Sequence, residues 1–120
     1  EENEAALAYI VDTLRAANPD MKIVLTVSPV PLNRSLGFES TVAADCISKS
    51  TLRLAAHNYL SKNPENVFYW PSFEIVRWLG AHLPPVFGEE DGLLRHVNQS
   101  MVDVITKLFQ KHFVAPRPGQ

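Results

Sequence analysis

Only two segments of this chain have the composition of β-strands, and this limits its possible folds more than any other feature. Lys22–Ser28 is apolar and rich in β-branched residues almost throughout, and Val67–Trp70 is a shorter run that ends at Pro71. Runs of consecutive apolar residues are typical of strands buried on both faces of a parallel sheet. Two strands are too few for a stable sheet of this type. We therefore predict that the 120 residues are a fragment of a larger α/β domain.

The remaining segments favour helices. Apolar residues recur at helical spacing in the segments 4–17, 40–61, 73–80 and 97–113. Residues 81–92 form a loop rich in Pro, Gly and acids, and residues 115–120 form a Pro-rich tail. The order helix, strand, helix, strand, helix predicts a parallel sheet with a right-handed crossover and helices on its faces. Residues 1–120 are thus expected to be a single α/β segment.

Composition limits the partners and cofactors. The net charge of −2, with Lys and Arg scattered, provides no electrostatic footprint for nucleic acid. No apolar stretch approaches the roughly 20 residues of a membrane span, and no signal segment begins the chain, so we expect a cytoplasmic protein. The single Cys46 excludes an internal disulfide and disfavours a zinc cluster. We predict no metal and no cofactor.

The second helical segment predicts an apolar stripe facing the core. The residues on or near this stripe are Val42, Ala43, Cys46, Ile47, Ser50, Leu54 and Ala55. Cys46 is then most simply a small buried hydrophobe. Trp70 and Trp78 are expected in the core or at its rim.

His96 is the best candidate for a catalytic group. It lies between the acidic loop and the last predicted helix, where a general base would stand near the edge of a sheet. Such a base needs an acceptor to fix its tautomer, and Asp91 and Glu74 both qualify. Alternatively, Glu74 is an acid favoured by the dipole of a helix first turn, and Asp91 belongs to a solvated acidic turn with Glu89 and Glu90.

Other polar residues have two interpretations each. Lys49 and Arg53, one turn apart, would clamp an anionic substrate group or form a solvated helix face. Ser28 follows a strand but has no Gly-x-Ser-x-Gly elbow, so we interpret it as the end of that strand. The remaining histidines lack acid-rich or metal-like spacing, and we expect them at the surface; they are His57, His82 and His112.

Three segments together resemble the GSCFA family, which is similar to the SGNH hydrolases. They are Ile23–Pro31, Ser48–His57 and Tyr69–Val76, and Arg95-His96-Val97 fits as a fourth. The resemblance covers nearly the whole chain. It implies a three-layer flavodoxin-like or SGNH-like sheet, of which this is the C-terminal half with about two strands and three to four helices. It also implies esterase or acyltransferase chemistry on carbohydrate-like substrates, sometimes in surface polysaccharide biosynthesis, with His96 as the base.

The chain departs from the family pattern in two places. No Gly-Ser-Cys-Phe-Ala run, which would hold the nucleophilic serine, occurs in it. The SGNH pattern has Asp three residues before the His, where this chain has Leu93; its nearest aspartate is Asp91. We therefore expect the nucleophile upstream and the segment alone to be inactive. Unpaired strand edges and an uncovered apolar face further predict that the isolated segment forms a homo-oligomer.

Overall fold

The structure is a computed structural model that describes residues 1–88 and 94–114. Helix α1 spans Glu2–Ala17 and strand β1 spans Ile23–Leu25. Helix α2 spans Thr41–Leu60 and strand β2 spans Val67–Tyr69. Helix α3 covers Ser72–Glu74 and continues through a π-helical turn at Ile75–Leu79 and a 3-10 turn at Gly80–His82. Helix α4 spans Gln99–Phe113.

The predicted α/β class and the parallel pairing are confirmed. Strands β1 and β2 pair in parallel with Ile23 opposite Val67 and Leu25 opposite Tyr69. The predicted helices agree with the observed ones to within one or two residues at most of their ends. The first strand is shorter than predicted, because only three residues of Lys22–Ser28 pair with β2.

The chain divides into two compact units. The first comprises residues 1–27 and 32–70, and the second comprises residues 28–31 and 71–120. The core of the first unit joins Val11 of α1, Tyr59 of α2 and Val67 of β2. Its helices lie on the sheet face that carries Ile23 and Leu25, since these residues pack against the same cluster. This core therefore fixes both helices on one face of the strand pair.

The second unit has its own core. Val76 of the π-helical turn, Val86 and Met101 of α4 are buried together. Asn98 begins α4 by accepting a hydrogen bond from the Met101 backbone N–H at 2.9 Å, which satisfies one of the free donors of a helix first turn. The cap and the buried Met101 together set where the last helix begins.

Neither strand is buried on both faces within this segment. Phe68 is 43% exposed, and the residues of β1 are half-buried. Side chains alternate between the faces of a strand, so Phe68 points away from the face that Val67 and the two helices share. Consecutive apolar residues predict burial on both faces only if both faces are covered.

The predicted inward face of α2 is wrong except at Ala55, which is buried. Val42, Ile47 and Leu54 are more than half exposed, and Cys46 is exposed rather than buried. The buried residues of α2 are Ala44, Asp45, Lys49, Ala55, Ala56 and Tyr59. Hydropathy assigns Asp and Lys to the surface, but a charged residue is stable on an inward face when its polar atoms find partners there.

Candidate active site

His96 lies in a short two-stranded ribbon directly before α4. Phe87 and Val97 form an antiparallel bridge. The Gly88 backbone N–H donates to the His96 carbonyl at 3.0 Å, and the Asn98 N–H donates to the Val86 carbonyl at 2.9 Å. These two hydrogen bonds form the bridge and hold the segment around His96, whose side chain is half-buried. A candidate base is thus placed on a fixed backbone.

The ribbon requires glycine at position 88. A Cβ atom at Gly88 would lie 2.8 Å from the Asn98 Cβ, closer than real carbon atoms approach. The contact is with the root of the Asn98 side chain, which cannot rotate away. Sequence reasoning missed Gly88, because a glycine in an acidic loop is typical of an ordinary turn.

The structure describes only one of the two candidate carboxylate partners of His96. Glu74 is half-buried at the end of α3 and belongs to the same compact unit as His96. Asp91 lies outside the described residues. The choice between them stays a prediction for mutagenesis.

Arg77 connects three parts of the second unit and was not singled out from the sequence. Its Nε donates to the Pro29 carbonyl at 2.8 Å. Its guanidinium carbon also lies 5.8 Å from the centre of the Phe87 ring, within the range of a cation–π contact. Arg77 therefore ties the loop that follows β1 to the ribbon that carries His96.

Helix α2 carries a charged face formed by Asp45, Lys49 and Arg53, which follow one another at four-residue spacing. Asp45 is 7% exposed and Lys49 is 8% exposed. The alternative of a solvated face is therefore wrong for Lys49. Asp45 was missed, although the four-residue spacing of the three charges was visible in the sequence.

Each end of this charged face has an identified contact. The Asp45 Oδ1 accepts a hydrogen bond from the Leu32 backbone N–H at 2.9 Å, which fastens the loop between β1 and α2. The Arg53 guanidinium lies over the Tyr69 ring, 4.3 Å from its centre. Since Tyr69 is the last residue of β2, Arg53 stands at the carboxyl end of that strand. Ligands of open α/β sheets bind along this edge.

The two strands are also joined just beyond their carboxyl ends. The Thr26 hydroxyl donates to the Trp70 carbonyl at 2.8 Å, and the Trp70 N–H donates to the Leu25 carbonyl at 2.8 Å. Trp70 is buried, as expected for a core residue, whereas Trp78 is 68% exposed. The edge next to Arg53 is thus held by two hydrogen bonds within the first unit.

Three serines, Ser28, Ser35 and Ser72, are poorly arranged as nucleophiles. The Ser28 hydroxyl oxygen accepts a hydrogen bond from the Val30 N–H at 3.3 Å, as in a turn that ends a strand. Ser72 is buried at the start of α3. The Ser35 hydroxyl is buried and has no hydrogen-bond partner among the described residues, so no base activates it there.

Comparison with known families decides the affiliation of the chain. The model of the GSCFA family matches residues 1–109. The chain belongs to the GSCFA family. Searches of curated proteins and of solved structures each give no match. The match of this GSCFA chain includes both compact units as far as Phe109 in α4, so the candidate base and the charged face both fall within the family region.

The three remaining histidines agree with the sequence analysis. His57, His82 and His112 are exposed, as predicted. Within residues 1–88 and 94–114, no group of three or more His, Cys, Asp or Glu side chains is arranged to hold a metal ion. Among those same residues, no helix has the length and hydropathy needed to cross a membrane.

Proposed function

We propose that this chain supplies the general base, His96, of an SGNH-type serine esterase or acyltransferase. Its substrates are carbohydrate-like esters, such as those made and modified in surface polysaccharide biosynthesis. One observation carries the proposal: in a chain of the GSCFA family, a half-buried histidine is held by a backbone ribbon immediately before the last helix.

The proposed chemistry requires a base that holds its position. The His96 imidazole takes the proton from a serine hydroxyl as the serine oxygen attacks the ester carbonyl, and it returns that proton to the departing alkoxide. Water or a sugar hydroxyl, deprotonated by the same imidazole, then attacks the acyl-serine and releases the acid or a new ester. Proton transfer needs hydrogen-bond reach, about 2.6–3.2 Å between heavy atoms. The contacts of the His96 backbone with Gly88 support this requirement.

A carboxylate orients the base, and either Glu74 or Asp91 has this role. The half-burial of Glu74 supports it, because an acid in a less aqueous environment orients an imidazolium more strongly. Asp91 is supported by its proximity in the chain, five residues before His96. Glu74→Gln and Asp91→Asn keep the size of each side chain and remove its charge. The orienting acid is the one whose replacement lowers kcat while leaving KM nearly unchanged.

We further propose that Lys49 and Arg53 bind an anionic group of the substrate. Lys49 is almost fully buried, and a cation with little solvent attracts an anion more strongly than a solvated one. Arg53 stands at the carboxyl end of β2, where ligands of α/β sheets bind. Arg53→Lys keeps the charge and removes the planar fork, so it should raise KM for an anionic substrate more than for a neutral one.

The test of the base uses a protein that unites this chain with the serine motif of the family. His96→Ala should lower kcat by roughly 10³-fold or more, the scale of triad members. His82→Ala is the matched control, because His82 is exposed in the same unit. Near-normal turnover of His96→Ala would refute the proposal. Carbohydrate binding without turnover would favour the alternative of a non-catalytic α/β binding or scaffold module.

The test of the nucleophile uses the 120-residue chain itself. A fluorophosphonate probe reacts with activated serines, and we expect no labelling of this chain. In the protein that also carries the family motif, the label should appear at the serine of that motif. Labelling of Ser28, Ser35 or Ser72 would contradict a nucleophile outside these residues.

A further inference from the structure

A cleft of about 160 Å³ lies beside the ribbon that carries His96. It is wholly within the second unit. Its lining includes Pro84, Pro85, Val86, Asn98, Met101 and Val104. Val86 and Asn98 pair through their backbones in the ribbon, next to the Gly88–His96 hydrogen bond. The same backbone that holds the candidate base therefore forms a wall of this cleft.

The lining offers few groups that would select a polar ligand. Pro84 and Pro85 have no backbone N–H, and their rings fix the backbone of that wall. The Asn98 Nδ2 donates to the Pro85 carbonyl at 2.6 Å. The Asn98 Oδ1 accepts from the Ser100 hydroxyl and from the Met101 N–H, each at 2.9 Å. Because these polar atoms are satisfied within the wall, an apolar ligand leaves none of them unpaired.

We propose that this cleft binds the acyl chain of the substrate and that it selects short chains of about six carbons or fewer. A cavity of roughly 150 Å³ lined by apolar side chains accommodates benzene, which has six carbons. The cleft has a similar volume, so it matches an acyl group of that size. Asn98 follows His96 by two residues, which keeps a chain in the cleft near the base. The identity of the occupant rests on the proposed esterase or acyltransferase function.

A binding measurement on the 120-residue chain tests the cleft without requiring turnover. Acetamide, butanamide, hexanamide and octanamide are titrated while the methyl NMR signals of Val86, Met101 and Val104 are followed. We expect these signals to shift and the affinity to rise about two- to fourfold per methylene group up to hexanamide. Octanamide should gain little more, because the cleft is then full. Dissociation constants on the order of millimolar or weaker are expected for such small ligands.

Helix α4 provides a matched pair of variants. Val104 lines the cleft and is 46% exposed, whereas Val102 is 38% exposed on the same helix and does not line it. Val104→Trp should fill the cleft and weaken hexanamide binding by about tenfold or more, the loss of two or three buried methylene groups. Val102→Trp should leave binding unchanged. Val104→Asp and Val102→Asp repeat the comparison without added volume, in case the indole disturbs folding.

Several outcomes would overturn the cleft proposal. The proposal fails if the shifts do not depend on the length of the amide's chain, or if affinity rises as steeply from hexanamide to octanamide as it does up to hexanamide. It also fails if the Val104 and Val102 variants have equal effects. The proposed base is tested separately by turnover of His96→Ala, which should still bind hexanamide. If His96→Ala loses turnover but the parent chain binds no amide, only the cleft proposal is refuted. Amide binding with normal turnover of His96→Ala refutes the proposed base alone.

Discussion

Gly88 and Asn98 approach so closely that a methyl group on Gly88 would lie 2.8 Å from the Asn98 Cβ. The Gly88 N–H also donates to the His96 carbonyl at 3.0 Å. A glycine at this position therefore allows the backbone to hold the candidate base and Asn98 to cap α4 at the same time.

Gly88→Ala should separate these two segments. We expect a loss of about 1–3 kcal/mol in the free energy of unfolding, the usual cost of overpacking. Chemical denaturation measures this loss, and exchange of the backbone amide hydrogen at position 88 should be faster in the variant than in the parent chain. Ala81→Ser, at an exposed position of the same unit, should change the stability by less than about 0.5 kcal/mol. A fully stable Gly88→Ala variant would mean that the ribbon relaxes easily.

Asp45→Ala should destabilise the first unit. The change removes the acceptor of the Leu32 N–H and one charge of the buried face of α2. Loss of a buried partner costs about 1–3 kcal/mol, measured by urea denaturation. Asp12→Ala, at an exposed position of α1, is the control. Equal effects of the two changes would show that burial of Asp45 contributes nothing to stability.

Glu4 provides a pH-dependent contact between α1 and α2. The hydrogen bond from Asn58 Nδ2 to Glu4 Oε1, 2.8 Å long, is the main cause that lowers the pKa of Glu4 from its ordinary 4.5, with Lys62 contributing less. A carboxyl with a lowered folded pKa stabilises the fold above its unfolded pKa and ceases to do so as the pH falls through the folded value.

Asn58→Ala should therefore raise the pKa of Glu4, and it should do so more than Lys62→Met, which removes the ammonium 3.6 Å from Glu4. NMR titration of the Glu4 carboxyl measures both shifts. The stability difference between the parent chain and Asn58→Ala should shrink as the pH falls below 4.5. A larger shift from Lys62→Met would show that charge, rather than the hydrogen bond, dominates.

Self-association of the 120-residue chain is the fourth prediction. The face of α2 that bears Ile47 and Leu54 is exposed, and β1 and β2 each pair only with the other among residues 1–88 and 94–114. Unpaired strand edges and apolar faces favour contacts between copies. Sedimentation at micromolar concentration should show a dimer or larger species.

Two glutamate variants test which surface is responsible. Leu54→Glu should weaken the association by placing a charge on the exposed face of α2. Leu36→Glu is the control, because Leu36 is 98% exposed but lies outside this face, in the loop between β1 and α2. A monomeric parent chain would contradict the prediction of a homo-oligomer.

The sequence predicted the elements of this protein because their signals are local. Asn18-Pro19-Asp20 and Asn63-Pro64 mark helix ends, and Asn63 and Asn66 adopt the positive φ that such turns require. A helix-length segment between two apolar runs predicts parallel pairing, because a parallel connection needs a crossover. Four short segments also sufficed to predict membership of the GSCFA family, which the family match confirms.

Only the tertiary structure decided which faces of these elements are buried. Hydropathy placed Cys46 and Leu54 on the buried face of α2 and left Lys49 open between a binding role and a solvated face. In the structure Cys46 and Leu54 are exposed and Lys49 is buried. The reason is that the contacts on this face come from residues distant in the chain, such as Leu32 for Asp45 and Tyr69 for Arg53. The contacts of Gly88 with His96 and Asn98 are likewise distant in sequence. A sequence pattern describes what each residue prefers, whereas such partners exist only once the chain has folded.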